Sequence, residues 1–335
     1  MASPCGLLNL GNTCYLNATL QAMGHVPTFA RFILQHAPSD GDGCGDGCGD
    51  GAKRQEREEC VAVYTAVRRV LAMCWAHAGQ SGAVSPTELV AALRPRLARH
   101  GITNVREQSD AHELYCILVD ALCGGAPADM RREFEALLSG STQQLVRCET
   151  CGATSTQVVA FTALDLDIGS GADSASMLRA AFAPERISEW TCDSCLRGRS
   201  AARITRLWSM PPLLVLAVKR AFGSGSWDVS RSAVEPSECI PRSLIARLAA
   251  PGSPAAAAAD KTGERGRYRL AGMVCHVGNQ GGGHYTAFVR HPSAQASGSE
   301  RWREYDDDTV RNEGELPAHA RSSCYMLFYA LHPRR

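Results

Sequence analysis

The sequence predicts an α+β protein in which a helical first part of the chain is followed by a part rich in strands. Apolar residues recur at helical spacing through much of residues 13–123, whereas short β-branched and aromatic runs between glycine-rich or polar turns dominate from about residue 143. The composition agrees with a globular chain that has an ample core, since 45% of the 335 residues are hydrophobic and 21% are charged. A formal net charge of +1 favours neither a nucleic-acid partner nor a membrane surface.

The helical part contains four segments of helical periodicity. Ser85 is the predicted N-cap of the third segment and Ser109 that of the fourth. A Gly/Asp-rich tract at 39–51 contains two cysteines, and we interpret it as a flexible loop because ordering glycines costs much conformational entropy. A metal site in this tract is the less favoured alternative. The predicted helices are 13–35, 56–78, 86–99 and 109–123.

The remaining chain shows strand-like runs separated by turns. Two spacers, 223–238 and 249–266, have loop composition, and the alanine run in the second is interpreted as a linker rather than a helix. The predicted strands lie at 143–148, 154–168, 213–222, 268–278, 284–291, 301–307 and 324–331.

The role of the fifteen cysteines depends on whether the cellular compartment is reducing or oxidising. The N-terminus has no charged-then-apolar leader, and the longest near-apolar run, 211–218, is too short to span a bilayer. We therefore expect a reducing compartment, cytoplasm or nucleus, where thiols serve metal sites, catalysis or cores rather than disulfides.

Four of the cysteines form two C-x-x-C pairs, with 40 residues between Cys151 and Cys192. Four thiolates at this local spacing suit the tetrahedral coordination of zinc, so Cys148, Cys151, Cys192 and Cys195 are predicted to bind a structural Zn²⁺. Four unpaired cysteines are the alternative, and an iron–sulfur cluster is less favoured because nothing else indicates electron transfer. A zinc-dependent hydrolase is excluded, since four thiolates leave no coordination position for water.

A second constellation has the chemistry of a cysteine nucleophile. Cys14 lies where a Gly-Asn-Thr turn leads into a helix, whose N-terminal N–H groups and dipole favour a thiolate. His284 follows a glycine-rich loop and is a candidate base. The following strand and turn supply Asp306, Asp307 and Asp308 as candidate orienting acids, and neighbouring strands could place Asp306 beside His284. Asn9 is the natural side-chain donor to an oxyanion. Cys14 alone would more often be a structural cysteine, so the prediction depends on all three separated elements together.

These motifs closely resemble those of the ubiquitin-specific protease family. Residues 6–21, GLLNLGNTCYLNATLQ, resemble its cysteine box, and GNQGGGHYTAFVR at 278–290 with WREYDDD at 302–308 resembles its histidine box. EQSDAHELYCILVDAL at 107–122 is similar to its intermediate helix, and PLLVLAVKRAF at 212–222 resembles a palm strand. The paired C-x-x-C motifs resemble its zinc-bearing fingers. One departure is Ala221, which interrupts the family's usual Lys-Arg-Phe sequence.

The resemblance implies a papain-like cysteine protease fold with a helical thumb, a β-rich palm and zinc-bearing β fingers. It implies a single catalytic domain over residues 1–335, monomeric and with ubiquitin held by the fingers. The implied divisions are a thumb at 1–125, fingers at 140–205 and a palm at 126–139 and 206–335.

The resemblance also implies an activity, hydrolysis of the isopeptide or peptide bond after the C-terminal glycine of ubiquitin through an acyl-thioester. Cys14 would be the nucleophile, His284 the base, Asp306 the orienting acid, Asn9 the oxyanion donor and Asp307 a reserve polarising group. A ubiquitin-like modifier, including the interferon-induced one, is an alternative substrate. A non-catalytic scaffold that binds the modifier is the alternative from another class of function.

Two further sets of residues are implied to contact the modifier's tail. Asp110, in the Gln-x-Asp pattern, would contact its basic residues. Gly281, Gly282 and Gly283 would leave room for its terminal Gly-Gly. The expected partners are ubiquitin or a ubiquitin-like modifier and its conjugates.

Overall fold

The computed structural model describes residues 5–38, 51–76, 82–104, 108–168, 173–197, 199–220, 234–260, 267–279, 282–290 and 302–332. The helical segments of the first part are α1 (Cys14–Gly24), α2 (Pro27–Gln35), α3 (Gly51–Ala76), α4 (Thr87–Arg99), α5 (Ala111–Gly125) and α6 (Arg131–Leu138). Four shorter helices follow, namely α7 (Ser174–Ala181), α8 (Arg242–Leu248), α9 (Pro254–Asp260) and α10 (Ala318–Ser323).

Most strands belong to two sheets. The strands of the larger sheet are β5 (Leu164–Asp167), β8 (Leu213–Lys219), β9 (Cys239–Pro241), β10 (Arg267–Asn279), β11 (Gly282–Arg290), β12 (Trp302–Asp306), β13 (Thr309–Asn312) and β14 (Cys324–His332). Those of the smaller sheet are β3 (Gly140–Cys148), β4 (Thr154–Phe161), β6 (Glu185–Ser188) and β7 (Ser200–Ser209). The larger sheet has the order β13-β12-β11-β10-β14-β8-β5 with β9 beside β10, and the smaller has the order β4-β3-β7-β6. Neighbours within these two sheets pair antiparallel except β5 and β8, which are parallel. The short β1 (Gly6–Leu7) pairs in parallel with β2 (Ala83–Val84).

The larger sheet is covered on both faces. Successive residues of β14, such as Phe328 and Tyr329, belong to two different core clusters because neighbouring side chains on a strand point to opposite faces of the sheet. The cluster on one face contains buried apolar residues of α1 to α6, and the cluster on the other contains those of α7 to α10. All eleven residues of α1 are buried, so the helix that begins at Cys14 lies inside the molecule, against β10 and β11.

The predicted first helix is divided in two. α1 ends at Gly24 and α2 begins at Pro27, because proline lacks the N–H that a continuous helix needs but fits a first turn. The observed N-caps of α4 and α5 each lie one residue after the predicted one. Pro86 occupies the N-cap position of α4, and Asp110 rather than Ser109 caps α5.

Several other predictions concern the connections. Residues 39–50 of the predicted flexible loop and 223–233 of the first spacer lie outside the described residues, and Gly51 begins α3. The alanine run interpreted as a linker forms α9, so that interpretation was wrong. β5 lies within the range predicted for the fingers but pairs with β8 in the larger sheet.

Within the ranges that the structure describes, no helix combines the length and the apolar character that crossing a membrane would require.

Candidate active site and metal centre

Cys14 is placed by a tight turn before the first helix. Gly11 and Asn12 both have positive φ, of 95° and 55°, which glycine and asparagine adopt at less cost than other residues. The Oγ1 atom of Thr13, the N-cap residue, accepts a hydrogen bond from the backbone N–H of Leu10 at 2.9 Å. The Cys14 side chain therefore lies at a helix N-terminus, as predicted, and only 3% of the residue is exposed.

His284 and Asp306 lie side by side on β11 and at the end of β12. The His284 Nε2 atom is 2.6 Å from Asp306 Oδ1, and the His284 side chain also hydrogen-bonds the Cys14 thiol. Because Nε2 faces the carboxylate, the other ring nitrogen, Nδ1, is left for the sulfur. The structure thus brings the predicted nucleophile, base and orienting acid into one hydrogen-bonded series.

The contacts of His284 alter its protonation. The hydrogen bond with Cys14, followed by that with Asp306, raises the pKa of His284 to about 9 against the opposing effect of burial. Burial acts to raise the pKa of Asp306, but the His284 and Arg311 hydrogen bonds and charges bring it below its usual value. Asp306 is therefore ionised and His284 is largely protonated at neutral pH, which places a positive charge beside the Cys14 sulfur.

Asp307 occupies a different place from Asp306. Its carboxylate accepts hydrogen bonds at 2.8 Å from Nδ2 of Asn9 and from Nδ2 of Asn17, and one of its oxygens lies within 4.8 Å of a His284 nitrogen. Asp307 has φ of 51°, and its carbonyl accepts a hydrogen bond from the Leu7 N–H at 2.8 Å. The turn after β12 is thereby tied to the segment that precedes Cys14.

Asn9 links the turn before Cys14 to Asp307 through both ends of its amide group. Its Oδ1 accepts hydrogen bonds from the backbone N–H groups of Gly11 at 2.9 Å and Thr13 at 3.1 Å, while its Nδ2 donates to Asp307. An amide nitrogen carries two hydrogens, so one remains for another acceptor. Asn9 is therefore oriented from both ends of its side chain.

Two residues outside the predicted set hold the backbone beside His284. Gln108 Oε1 accepts a hydrogen bond from the Gly283 N–H at 2.5 Å, and Gln108 Nε2 donates to His276 Nε2 at 3.3 Å. Burial lowers the pKa of His276, so the ring is neutral and can accept that bond. His276 stacks near Tyr285, with ring centroids 4.4 Å apart. Gln108 is thereby held at one end by His276 while its other end fixes the Gly283 backbone.

The backbone at Gly283 is too closely packed to leave room for a side chain. A Cβ atom there would lie 2.3 Å from His276 Nε2 and 2.9 Å from the Val277 carbonyl oxygen. Gly281 lies outside the described residues, and for Gly282 the structure describes only its place at the start of β11. The predicted room for a substrate tail at these two glycines remains a prediction.

Replacing Gly283 by alanine is expected to lower activity at least tenfold, because the new Cβ must displace His276 and the backbone next to His284. Overpacking of this kind also costs roughly 1–3 kcal/mol of stability. Turnover and thermal unfolding measure the two effects. Gly272→Ala in β10 is the control, because its new Cβ would meet no atom closer than 3.4 Å. Equal losses in both variants would contradict this account.

Asp110 is engaged within the protein. Its Oδ1 accepts hydrogen bonds from the backbone N–H groups of His112 at 2.7 Å and Glu113 at 3.0 Å, and its Oδ2 accepts one from the Tyr325 hydroxyl. The carboxylate therefore caps α5 and fixes Tyr325 near the His276 ring. A contact between Asp110 and a basic peptide tail remains a prediction.

The four cysteines of the C-x-x-C pairs converge at the end of the smaller sheet. Their sulfur atoms all lie within 4.8 Å of one another, and Cys151 Sγ is 3.7 Å from Cys192 Sγ. A tetrahedral zinc site with Zn–S bonds of about 2.3 Å places its sulfurs about 3.8 Å apart. Backbone hydrogen bonds, first from Cys151, lower the pKa of Cys148 to about 6. Against a backbone hydrogen bond from Ala153, burial and hydrogen bonds with the other three thiols raise the pKa of Cys151. The thiols therefore share protons, which a bound metal would displace. The cluster thus fits a tetrahedral metal ion.

Comparisons with known proteins place these observations in a family. The sequence model described as "Ubiquitin carboxyl-terminal hydrolase" matches residues 5–329. The chain is 30% identical over 341 residues to Ubiquitin carboxyl-terminal hydrolase 36 of Drosophila virilis, covering 97% of this chain and 26% of that protein. It is 29% identical over 348 residues to the protein of the same name from Drosophila pseudoobscura pseudoobscura, covering 97% of this chain and 29% of the relative. The chain spans between a quarter and a third of these two relatives.

Solved structures show a similar fold. A chain from the SAGA DUB module of Ubp8, Sgf11, Sus1 and Sgf73 bound to monoubiquitin superposes with a TM-score of 0.67 and 18% identity, over 99% of this chain and 70% of the other. A chain from the same module bound to ubiquitin aldehyde gives a TM-score of 0.69 and 18% identity, with the same coverage. The predicted α+β, papain-like architecture is confirmed by this likeness.

Proposed function

Because this chain belongs to the ubiquitin carboxyl-terminal hydrolase family, we propose that it is a thiol-dependent deubiquitinase. It cleaves the isopeptide or peptide bond after the C-terminal glycine of ubiquitin. The observation that carries the proposal is the hydrogen-bonded series in which His284 contacts both the Cys14 thiol and Asp306. A nucleophile, a base and an orienting acid in this order are what acyl transfer to a thiol requires.

The proposed reaction has two halves. The Cys14 thiolate attacks the carbonyl carbon of the terminal glycine, and protonated His284 gives its proton to the departing amine, leaving an acyl-thioester. A water molecule then attacks the thioester while neutral His284 accepts a proton from the water. This step releases the glycine carboxylate and regenerates the Cys14 thiolate and the protonated His284. Asp306 keeps the imidazole oriented throughout.

The tetrahedral intermediates need donors for their oxyanion. We assign this role to the Asn9 amide, because Asp307 and the turn orient it and one of its two N–H groups remains available. Asp307 then acts by holding Asn9, with Asn17 as its second partner. The N-terminal backbone of α1 provides further N–H groups at Cys14.

We further propose that Cys148, Cys151, Cys192 and Cys195 hold a zinc ion that stabilises the smaller sheet, which corresponds to the fingers. Four thiolates fill the coordination sphere, so the ion would serve structure and not the reaction. The α1–α5 region would be the thumb and the larger sheet the palm. The proposed compartment is the cytoplasm or the nucleus, where thiols stay reduced and so remain available to a metal and to catalysis.

Electrophilic probes test the proposed function directly. Purified protein is incubated with propargylamide derivatives of ubiquitin and of ubiquitin-like modifiers, and intact mass is recorded. A mass shift with ubiquitin, mapped to Cys14, is expected. Labelling by a ubiquitin-like probe alone would assign that modifier instead. Binding of ubiquitin without labelling would favour a scaffold, and neither binding nor labelling by any probe would contradict the proposal.

The raised pKa of His284 predicts the alkaline limit of activity. The reactive pair needs a protonated imidazole, so kcat/KM is expected to fall as pH rises through about 9. The same shift has a consequence for stability. Because the folded-state pKa lies above the unfolded value, the contribution of His284 is complete at low pH and is lost as pH rises through about 9.

Hydrolysis of a fluorogenic ubiquitin substrate between pH 5 and 10.5 measures the alkaline limit. Thermal unfolding at each pH shows whether loss of activity reflects loss of structure. A profile that stays flat to pH 10.5 would contradict a functional imidazolium at His284.

A further inference from the structure

An arginine on the last hairpin of the larger sheet lies beside the proposed triad. Arg311 in β13 is the direct cross-strand partner of Glu304 in β12. Glu304 and Asp306 are two residues apart on one strand, so their side chains share a face. An arginine opposite Glu304 can therefore reach both carboxylates, one directly across and one diagonally.

The distances show that it does. Arg311 Nη1 lies 2.8 Å from Glu304 Oε2 and 3.2 Å from Asp306 Oδ2. The other oxygen of Asp306, Oδ1, is the one that contacts His284 at 2.6 Å. The two oxygens of Asp306 thus have different partners, an arginine on one side and the imidazole on the other.

Glu304 holds the arginine in place. Its side chain is only 11% exposed, whereas that of Arg311 is half exposed. A buried carboxylate needs a charged or hydrogen-bonding partner, and Arg311 supplies it, with His319 Nε2 at 3.9 Å from the other Glu304 oxygen. The hydrogen bonds with Glu304 and then Asp306 raise the pKa of Arg311. The guanidinium is consequently a fixed charge with a defined position.

We propose that Arg311 is a positioning residue, which holds the Oδ2 atom of Asp306 so that Oδ1 is directed at His284. This role concerns the chain's own hydrogen bonds and rests on the proposed function only where ubiquitin turnover is the readout. Without Arg311, the Asp306 carboxylate can rotate away from the imidazole. The fixed positive charge also disfavours protonation of the groups around it, so it tunes the thiolate–imidazolium pair.

Removing the charge has a predictable sign. A nearby cation lowers the pKa of every neighbouring group, so its loss raises those values and moves the pH dependence of the pair to higher pH. The other ionisable groups that face this network are His284 in β11, Glu304 and Asp307 in β12 and its turn, Cys14 in α1, His276 and Cys275 in β10, and His319 in α10. A substitution at Arg311 leaves all of these residues in the protein and changes only the charge or shape of the side chain at position 311.

The test measures Cys14 reactivity without ubiquitin. The rate of Cys14 alkylation by iodoacetamide is followed between pH 5 and 10, using peptide mass spectrometry to separate Cys14 from the other cysteines. Arg311→Ala is expected to move the midpoint up by about 0.3–0.5 pH unit, as loss of one partly exposed charge implies. Turnover of ubiquitin substrate is expected to fall roughly three- to tenfold. Arg311→Gln replaces Arg311→Ala in both measurements if the alanine variant is unstable. Thermal unfolding is measured for all variants.

Two controls distinguish positioning from a general effect. Arg311→Lys keeps the charge but not the planar fork, so the midpoint is expected to stay while turnover recovers in part. Arg303→Ala removes one positive charge from the other face of β12 and is expected to leave both readouts unchanged.

A double substitution shows whether Arg311 acts through Asp306. In an Asp306→Asn background, Arg311→Ala is expected to add little further loss, because the carboxylate to be positioned is absent. Losses that multiply independently would overturn the proposal, as would a single variant with an unchanged midpoint and turnover. If alkylation responds as expected but no variant, including wild type, hydrolyses ubiquitin, the proposed function fails and the positioning role stands.

Discussion

Replacing Cys14 by alanine is expected to abolish hydrolysis of ubiquitin substrates, lowering kcat/KM by at least about 10³-fold. No other described cysteine is hydrogen-bonded to His284, so no second thiol can take over the attack within the described residues. The change removes one sulfur atom from a residue that is 3% exposed, and α1 keeps its remaining contacts. The fold and the surface that binds ubiquitin are therefore expected to persist.

The measurement pairs turnover with binding. Hydrolysis of a fluorogenic ubiquitin substrate gives the loss of activity, and calorimetric titration with free ubiquitin gives the affinity, expected within about threefold of wild type. Cys5→Ala is the matched control, since Cys5 is a buried cysteine of the same core cluster and is 6% exposed. Residual cleavage by the Cys14 variant would indicate another nucleophile. A similar loss in the Cys5 variant would show that the effect comes from damage to the core.

The sequence alone predicted those candidate site residues whose chemistry is visible in their local setting. Cys14 follows a Gly-Asn turn at a predicted helix start, and His284 follows a glycine run. The structure brings these two residues together with Asp306. What local patterns cannot provide is the register between strands, and several contacts of the site depend on it.

The supporting contacts therefore went unpredicted. Asn17 and Asp307 are 290 positions apart, and Gln108 and Gly283 are 175 apart. Arg311 faces Glu304 only because β12 and β13 pair in one register. Helical spacing does place Asn17 one turn after Cys14, so a polar residue at that distance from the predicted nucleophile was a usable signal.

The fold was predicted best where the strands of the larger sheet are buried on both faces. The strands β8, β10 and β14 have continuous apolar runs because both faces of the larger sheet are covered. β7 escaped prediction because it reads SAARITRLWS, with two arginines and partial exposure along most of its length. α9 was taken for a linker because its alanines carry no apolar periodicity, although alanine is the best helix former and Pro254 suits a first turn.

Loss of the metal at the four cysteines is the second large effect expected. Cys192→Ser is expected to lower the melting temperature by about 5–10 °C, because a metal that binds only the folded state contributes its binding free energy to folding. The smaller sheet depends on this contribution, since its strands β3 and β7 are only partly buried along much of their length. A strong chelator is expected to lower the melting temperature of wild type by a similar amount and to have little effect on the variant.

The same experiment identifies the metal and separates its role from catalysis. Elemental analysis is expected to find one zinc per wild-type chain and less in the variant. Cys116→Ser makes the same atomic exchange at an exposed cysteine outside the cluster, and its melting temperature and zinc content are expected to match wild type. Alkylation of Cys14 by iodoacetamide should persist in zinc-depleted protein held below its melting temperature, because the two sites share no residue. The sulfur cluster lies at the end of the smaller sheet, whereas Cys14 begins α1 and His284 lies in β11 of the larger sheet. An unchanged melting temperature after complete removal of zinc would contradict a stabilising metal, since a ligand that binds the folded state must raise its stability.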